Sequence, residues 1–262
     1  MFAYICRLAR EKNKRDYKYY YKRVIINMKI GIMQPYLFPY LGYFSLIKYT
    51  DKWIVFDMVQ YIRHGWINRN RVLKPGGGWQ YIIVPLEKHH RNTLIKDIKI
   101  SKNINWRKQI LGKLTYYKRI APYYDKIIEL VQDVLSLNTE SIVTLNIYSL
   151  KKVCEYLDIS FNYEVFSEMN LDIGSIQEPG DWALEISKVL RAKEYVNPPG
   201  AMDIFDKQKF RRAGVGLKFL KVELGEYNQK RGEFEPGLSI IDVMMFNGPE
   251  VISKFLDNYS IF

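Results

Sequence analysis

Short apolar runs alternate along the chain with stretches in which apolar side chains return every three or four positions. Residues 29–34 (KIGIMQ) read as a buried strand stopped by Pro35. Residues 39–49 read as a helix, because proline is tolerated in a first helical turn and Tyr43, Phe44, Leu46 and Ile47 share one apolar face. Asp51 ends it, and residues 53–56 (WIVF) form a second buried strand, so this region is a β-α-β unit. A third strand is expected over 79–86, after the flexible turn Pro75-Gly76-Gly77-Gly78. Ile98 and Ile100 alternate with charges, as in a half-exposed edge strand. Three helical segments follow, over 104–117, 123–135 and 141–157, with Thr139 and Ser141 as N-caps. Beyond them come a strand at 161–166, a helix at 181–190 and a short strand at 194–196 that ends in Asn197-Pro198-Pro199-Gly200. A helix at 203–212, a strand at 217–223 and a terminal helix at 249–257 complete the order. Alternating β and α elements predict an α/β fold: a doubly wound, mostly parallel sheet with an inserted helical segment, built by residues 28–262 as one principal domain.

Charge changes this picture less than its size suggests. The net charge is +12, but the first 27 residues hold eight Lys/Arg (Arg7, Arg10, Lys12, Lys14, Arg15, Lys18, Lys22, Arg23) against Glu11 and Asp16, which is half the excess. Met28 directly precedes the first strand, so residues 1–27 read either as a basic N-terminal extension from an upstream start or as a basic arm for acidic partners. A secretory signal is not expected, because no apolar run of about 7 to 15 residues follows these charges. The remaining charge suits a protein that handles phosphate-bearing ligands, and nucleic acid is not the expected partner. Cys6 and Cys154 have neither metal-site spacing nor the numbers for a disulfide framework, which points to a reducing cytoplasm. No stretch of about 18 apolar residues is present to span a membrane. The 21 tyrosines suit a core or a sugar- or base-lined cleft, since each has an apolar body and a polar tip.

Candidate chemistry concentrates between residues 34 and 71. In an α/β sheet ligands bind at the carboxyl ends of the strands, which is where the turn after Gln34 and the polar segment after Phe56 fall. Gly42 permits close backbone approach where a helix opens, either for a phosphate or for tight packing, and Tyr40 and Tyr43 flank it. Asp57 and Gln60 end the second strand and lead into a loop holding Arg63, His64, Asn68, Arg69 and Arg71. Arginine forks grip phosphate or carboxylate bidentately, and His64 is the histidine here suited to general-base work, with Asp57 to orient it or to bind a substrate amine. The structural alternative for the arginines is a solvated loop with weak ion pairs. His89 and His90 read as a solvated surface pair. Near the carboxyl end, Ser239 and Asp242 stand one helical step apart, as members of the same site or as an N-cap and a structural hydrogen bond. No metal site is expected.

The runs QPYLFPYLGYF, FDMVQYI, GWINRNRV, WQYIIVPL, IAPYY and SIIDVMMFNGP resemble the WbqC-like family, in the same order over residues 28–250. Family members occur among bacterial O-antigen and surface-polysaccharide gene sets, so the resemblance implies a role in making or decorating an activated sugar, without supplying an established catalytic residue. At the level of fold, the strand, the Gly-containing turn and a second strand ending in VQY are similar to pantothenate synthetase and other nucleotidyl-transferring, Rossmann-like folds. That likeness implies that Gln34 and Gln60 hold a small acid or amine while the Gly42 turn faces a nucleotide. Tyr40 and Tyr43 stand where such folds carry histidines, a departure that weakens adenylation as the reaction. The expected activity is transfer or ligation of an acyl or aminoacyl group to a nucleotide-linked amino sugar. Arg63, Arg69 and Arg71 would clamp phosphate or carboxylate, His64 would take the amine proton, and Gln34, Gln60 and Asn68 would orient substrate. ATP and magnesium are the candidate cofactors unless the donor arrives activated. The rival expectation is a non-catalytic nucleotide-sugar-binding or assembly protein.

Overall fold

Residue alternation within the strands decides the two faces of the central sheet. The computed structural model describes residues 27–102 and 105–262. The basic segment over residues 1–26, Cys6 and the helix start expected at Ile104 lie outside the described residues. Strand β1 (Lys29–Met33) leads through helix α1 (Leu41–Tyr49) to β2 (Lys52–Val55), the β-α-β unit expected from the sequence. After a ribbon and a helical insertion the chain forms β5 (Tyr163–Val165), α5 (Asp181–Val189), β6 (Glu194–Asn197), α6 (Lys207–Arg212) and β7 (Gly216–Val222). It ends in α7 (Ile240–Phe246), α8 (Pro249–Leu256) and β8 (Tyr259–Ile261).

The six-stranded sheet has the order β5-β2-β1-β6-β7-β8, with every pair parallel except β7 and β8. Ile30, Ile32, Ile54, Tyr195 and Phe219 face one side and pack on α5 and α6 through Ala183, Leu184, Ile186 and Phe210. Their neighbours Trp53, Val55, Val196 and Leu220 face the other side, toward α1, α7 and α8. Each fully buried aliphatic on these faces, Ile30 and Ile54 among them, contributes about 2 kcal/mol of transfer free energy. Helices thus cover both faces, and the fold is Rossmann-like. The insertion between the ribbon and β5 is helical, as α2 (Trp106–Leu114), α3 (Tyr124–Ser136) and α4 (Ile142–Tyr156), with the Ser141 hydroxyl capping α4 at Thr144 N–H.

Several expected boundaries shift. The segment expected as a polar loop becomes a strand at Arg69: β3 (Arg69–Leu73) pairs antiparallel with β4 (Trp79–Ile83) in a separate two-stranded ribbon. Gly76, Gly77 and Gly78, all at positive φ, close it. The polar strand is stable because the arginines lie against aromatic faces, Arg69 over Tyr81 at 4.2 Å and Arg71 over Trp79 at 5.1 Å. Ile98 and Ile100 are buried beside isolated bridges and belong to no strand. The helix expected from residue 203 is split into a 3₁₀ turn, Pro199–Ile204, and α6, because Asp206 caps the backbone N–H groups of Gln208 and Lys209.

Candidate functional site

The chain winds from β1 to β2 on one side and returns as β6 on the other, so the topological switch point lies between β1 and β6, where open α/β sheets bind ligands. A cavity of about 980 Å³ opens there. Its floor is Ile32, Met33 and Gln34 at the end of β1 and Tyr195, Asn197 and Pro198 at the end of β6. Aromatic side chains form much of the wall: Tyr36, Tyr40, Phe56, Trp66 and Trp182. Glu178 and Arg71 are the charged residues of the lining.

The turn from Gln34 to Tyr40 is held in place by buried polar groups rather than by its own propensity. Asn70 Nδ2 donates to the carbonyls of Leu37 and Phe38 at 3.0 and 2.8 Å, and the Ser239 hydroxyl donates to the Phe38 carbonyl at 2.7 Å. Asn146 Nδ2 donates to the carbonyls of Pro35 and Ile67 at 2.8 and 2.7 Å. Phe38 sits at φ 40, in the left-handed region, and these bonds offset that strain. The opposite wall is fixed by Asp181, whose carboxylate accepts from the backbone N–H groups of Gln177 and Glu178 and from Lys209 Nζ. The lysine partner and the two backbone bonds hold its carboxyl below the usual range. Gly180 allows this loop to approach the Ile204 carbonyl, which a Cβ would meet at 2.2 Å.

Arg71 is the polar centre of the cavity. Its Nη2 donates to the Gly237 carbonyl at 2.9 Å, its guanidinium lies 5.6 Å from the Trp66 ring centre, and its buried Nε has no partner among the described residues. A buried donor without a partner is costly, and the guanidinium as a whole belongs to the cavity lining. Burial, and for Tyr36 the nearby Tyr40, pushes the phenols of Tyr36 and Tyr40 above their ordinary value, so both remain protonated at neutral pH. The cavity therefore offers aromatic faces, neutral hydroxyls and amides, one guanidinium and one carboxylate.

The structure brings Gln34, Tyr40 and Arg71 together in this cavity. Gly42 lies beneath the Tyr40 ring, which a Cβ would meet at 2.5 Å, so the close approach it permits is to a side chain. Tyr43 is fully buried and donates to the Gln34 carbonyl at 2.8 Å, and burial pushes its phenol well up. Gln60 and Arg63 line a neighbouring cavity. Asp57 is buried under Ser167, whose hydroxyl and N–H bond its carboxylate at 2.7 and 3.1 Å, and it makes no hydrogen bond to His64. His64 is exposed on a turn at φ 65, and Arg69 binds its carbonyl and that of Gly65. Asn68 ties the Tyr61 hydroxyl to the Val84 carbonyl. Asp242 is buried beside α3, where the hydroxyls of Tyr117 and Tyr227 and the Gln229 amide donate to it. The arginine pair on β3 thus divides, Arg71 into the cavity and Arg69 onto the turn.

The sequence reading did not single out Tyr36, Glu178, Trp182 or the side chain of Asn197. The strand-end turn after Asn197 was the one signal on that side, and Trp182 could have been found from its place in the first turn of α5.

The WbqC-like protein family matches residues 34–254. The "Uncharacterized protein Rv1507c" of Mycobacterium tuberculosis is 28% identical over 225 residues, which cover 85% of this chain and 95% of the relative. No solved structure matches the chain. With the family match spanning most of the chain, cavity-lining residues Gln34, Tyr40 and Arg71 included, the protein belongs to the WbqC-like protein family.

Proposed function

We propose that the switch-point cavity binds a nucleotide-linked amino sugar, and that the protein transfers an acyl or aminoacyl group to the sugar's amine in the cytoplasmic assembly of bacterial surface polysaccharide. The observation that carries this reading is Arg71, among the described residues the one cationic side chain lining an aromatic-walled cavity at the β1/β6 switch. The guanidinium matches a diphosphate, the aromatic walls match a base and a sugar ring, and Gln34 and Asn197 present amides to hydroxyls. In the transfer, the amine nitrogen bonds to the acyl carbonyl carbon, the donor's leaving group departs with its bonding electrons, and the amine proton passes to Glu178. Glu178 is the one carboxylate of the lining able to share a magnesium ion with ligand phosphates.

A second reading, binding without catalysis, is favoured by the lining itself, which contains no His or Cys and no paired carboxylates. Calorimetry with nucleoside diphosphate amino sugars, followed by mass spectrometry with activated acyl donors, separates the two. Binding with a mass gain on the sugar supports the transferase. Binding with no product for any donor supports the second reading, and failure of Arg71→Met to weaken binding removes both.

A further inference from the structure

A second cavity, of about 730 Å³, adjoins the first and shares Gln34 and Val59 with it. Its remaining polar lining is Gln60, Tyr61, Arg63, His89 and Arg91. Tyr61 N–H donates to the Thr93 carbonyl and Ile95 N–H to the Val59 carbonyl, both at 2.9 Å, and Gln60 Nε2 donates to the Arg91 carbonyl at 2.8 Å. This local antiparallel pairing sets the turn that carries Arg63 beside the turn that carries His89 and Arg91. Among the described residues no carboxylate pairs with either arginine. His89 Nδ1 lies 2.8 Å from the Glu87 carbonyl, a contact only an N–H can make, so the proton is on Nδ1. Its Nε2 is buried without a partner.

We propose that this second cavity binds a phosphoryl group, that of the acyl donor, and directs the donor's other end to Gln34. Naming the ligand as the donor rests on the function proposed above, whereas the phosphoryl site stands on its own residues. Two guanidinium groups with no carboxylate partner match the several oxygens of a phosphoryl group, which accept bidentate bonds from both, while a carboxylate occupies one fork. His89 belongs to the same lining, where its imidazole reports on occupancy of the cavity. Because Gln34 and Val59 belong to both cavities, a ligand in each brings the two reacting ends to one place.

The test is a titration of the full chain with pyrophosphate, followed by NMR of the imidazole Cε1–H groups. The chain has three histidines, so the His89 signal is assigned by its loss in His89→Gln. Pyrophosphate is expected to shift the His89 signal and leave that of His64, which lines neither cavity. The double variant Arg63→Ala/Arg91→Ala is expected to weaken the pyrophosphate response of the His89 signal at least tenfold, and acetate at the same concentration to produce no shift. An unmoved His89 signal, an undiminished affinity in the double variant, or an equal response to acetate overturns the proposal. Nucleotide-sugar binding in the same samples reads the first cavity separately: if it is absent while pyrophosphate still binds through Arg63 and Arg91, the earlier reading falls and the phosphoryl site stands.

Discussion

Asn70 donates to the carbonyl of Phe38, 32 residues earlier, at 2.8 Å. The same amide nitrogen reaches the Leu37 carbonyl, and Asn70 Oδ1 accepts from the Arg71 N–H. One buried side chain therefore fixes the left-handed turn over the cavity and the strand position that presents the arginine.

Asn70→Ala leaves the Leu37 carbonyl without this donor and removes one of two donors from Phe38. The expected cost is about 3 kcal/mol, typical of buried polar groups left unsatisfied. Denaturant unfolding checks it, and a cost below about 1 kcal/mol would mean that Ser239 and Asn146 hold the turn unaided.

Arg71→Met removes the donors aimed at a ligand and keeps most of the apolar stem. Loss of a charge-assisted bond of about 2 kcal/mol lowers nucleotide-sugar affinity about 30-fold. Stability falls by only about 1 kcal/mol, through the lost bond to the Gly237 carbonyl. Calorimetric titration and a melting curve on the same sample separate the two effects.

Gly42→Ala pits two effects against each other. Alanine in a helix is favoured over glycine by about 1 kcal/mol, but its Cβ would stand 2.5 Å from the Tyr40 ring. The contact is with the far end of a side chain that can swing away, so stability changes little while Tyr40 leaves its place on the cavity wall. Ligand affinity should fall with a nearly constant denaturation midpoint, and an unchanged affinity would remove Tyr40 from the site.

His64→Gly tests the histidine that the sequence made most conspicuous. His64 is exposed at φ 65, a conformation glycine adopts without strain, and its ring lines neither cavity. Stability is expected to rise by up to about 1 kcal/mol, with ligand binding unchanged. A loss of turnover with intact binding would return His64 to the chemistry.

Asp242 carries a pH signature. Burial pushes its carboxyl from 3.8 up to about 6, against the three donors from Tyr117, Tyr227 and Gln229. Between those two values the folded state binds more protons than the unfolded state, so this group's contribution to stability is present at low pH and is lost as pH rises through about 6. Across that window the change is about 3 kcal/mol. Asp242→Asn does not titrate, so the stability of wild type relative to the variant should decline between pH 4 and pH 6.5 and be flat above. A difference that does not vary with pH would show that the donors fully offset the burial.

The β1-α1-β2 unit was legible because its information is local: the apolar spacing of residues 29–56 reports period and length, and a strand or a helix needs little else. β3 was not, since Arg69 and Arg71 look like loop residues until Tyr81 and Trp79 cover them across the ribbon, and Asn70 does until it meets the Leu37 and Phe38 carbonyls. Gln34, Tyr40 and Arg71 could be picked out from their place near strand ends, but their convergence depends on β6 lying beside β1, a pairing of segments more than 150 residues apart. The reassignment of His64 and His89 has the same origin. An exposed turn and a buried nitrogen are indistinguishable in composition, and only the pairing of residues 59–61 with 93–95 separates them. The chain's own pattern determined which segments become strands and helices, through backbone and side-chain preferences acting over a few residues. Strand order, the cavity at the switch point and the partner of each polar side chain were decided by long-range packing, because desolvation acts on neighbours in space rather than in sequence.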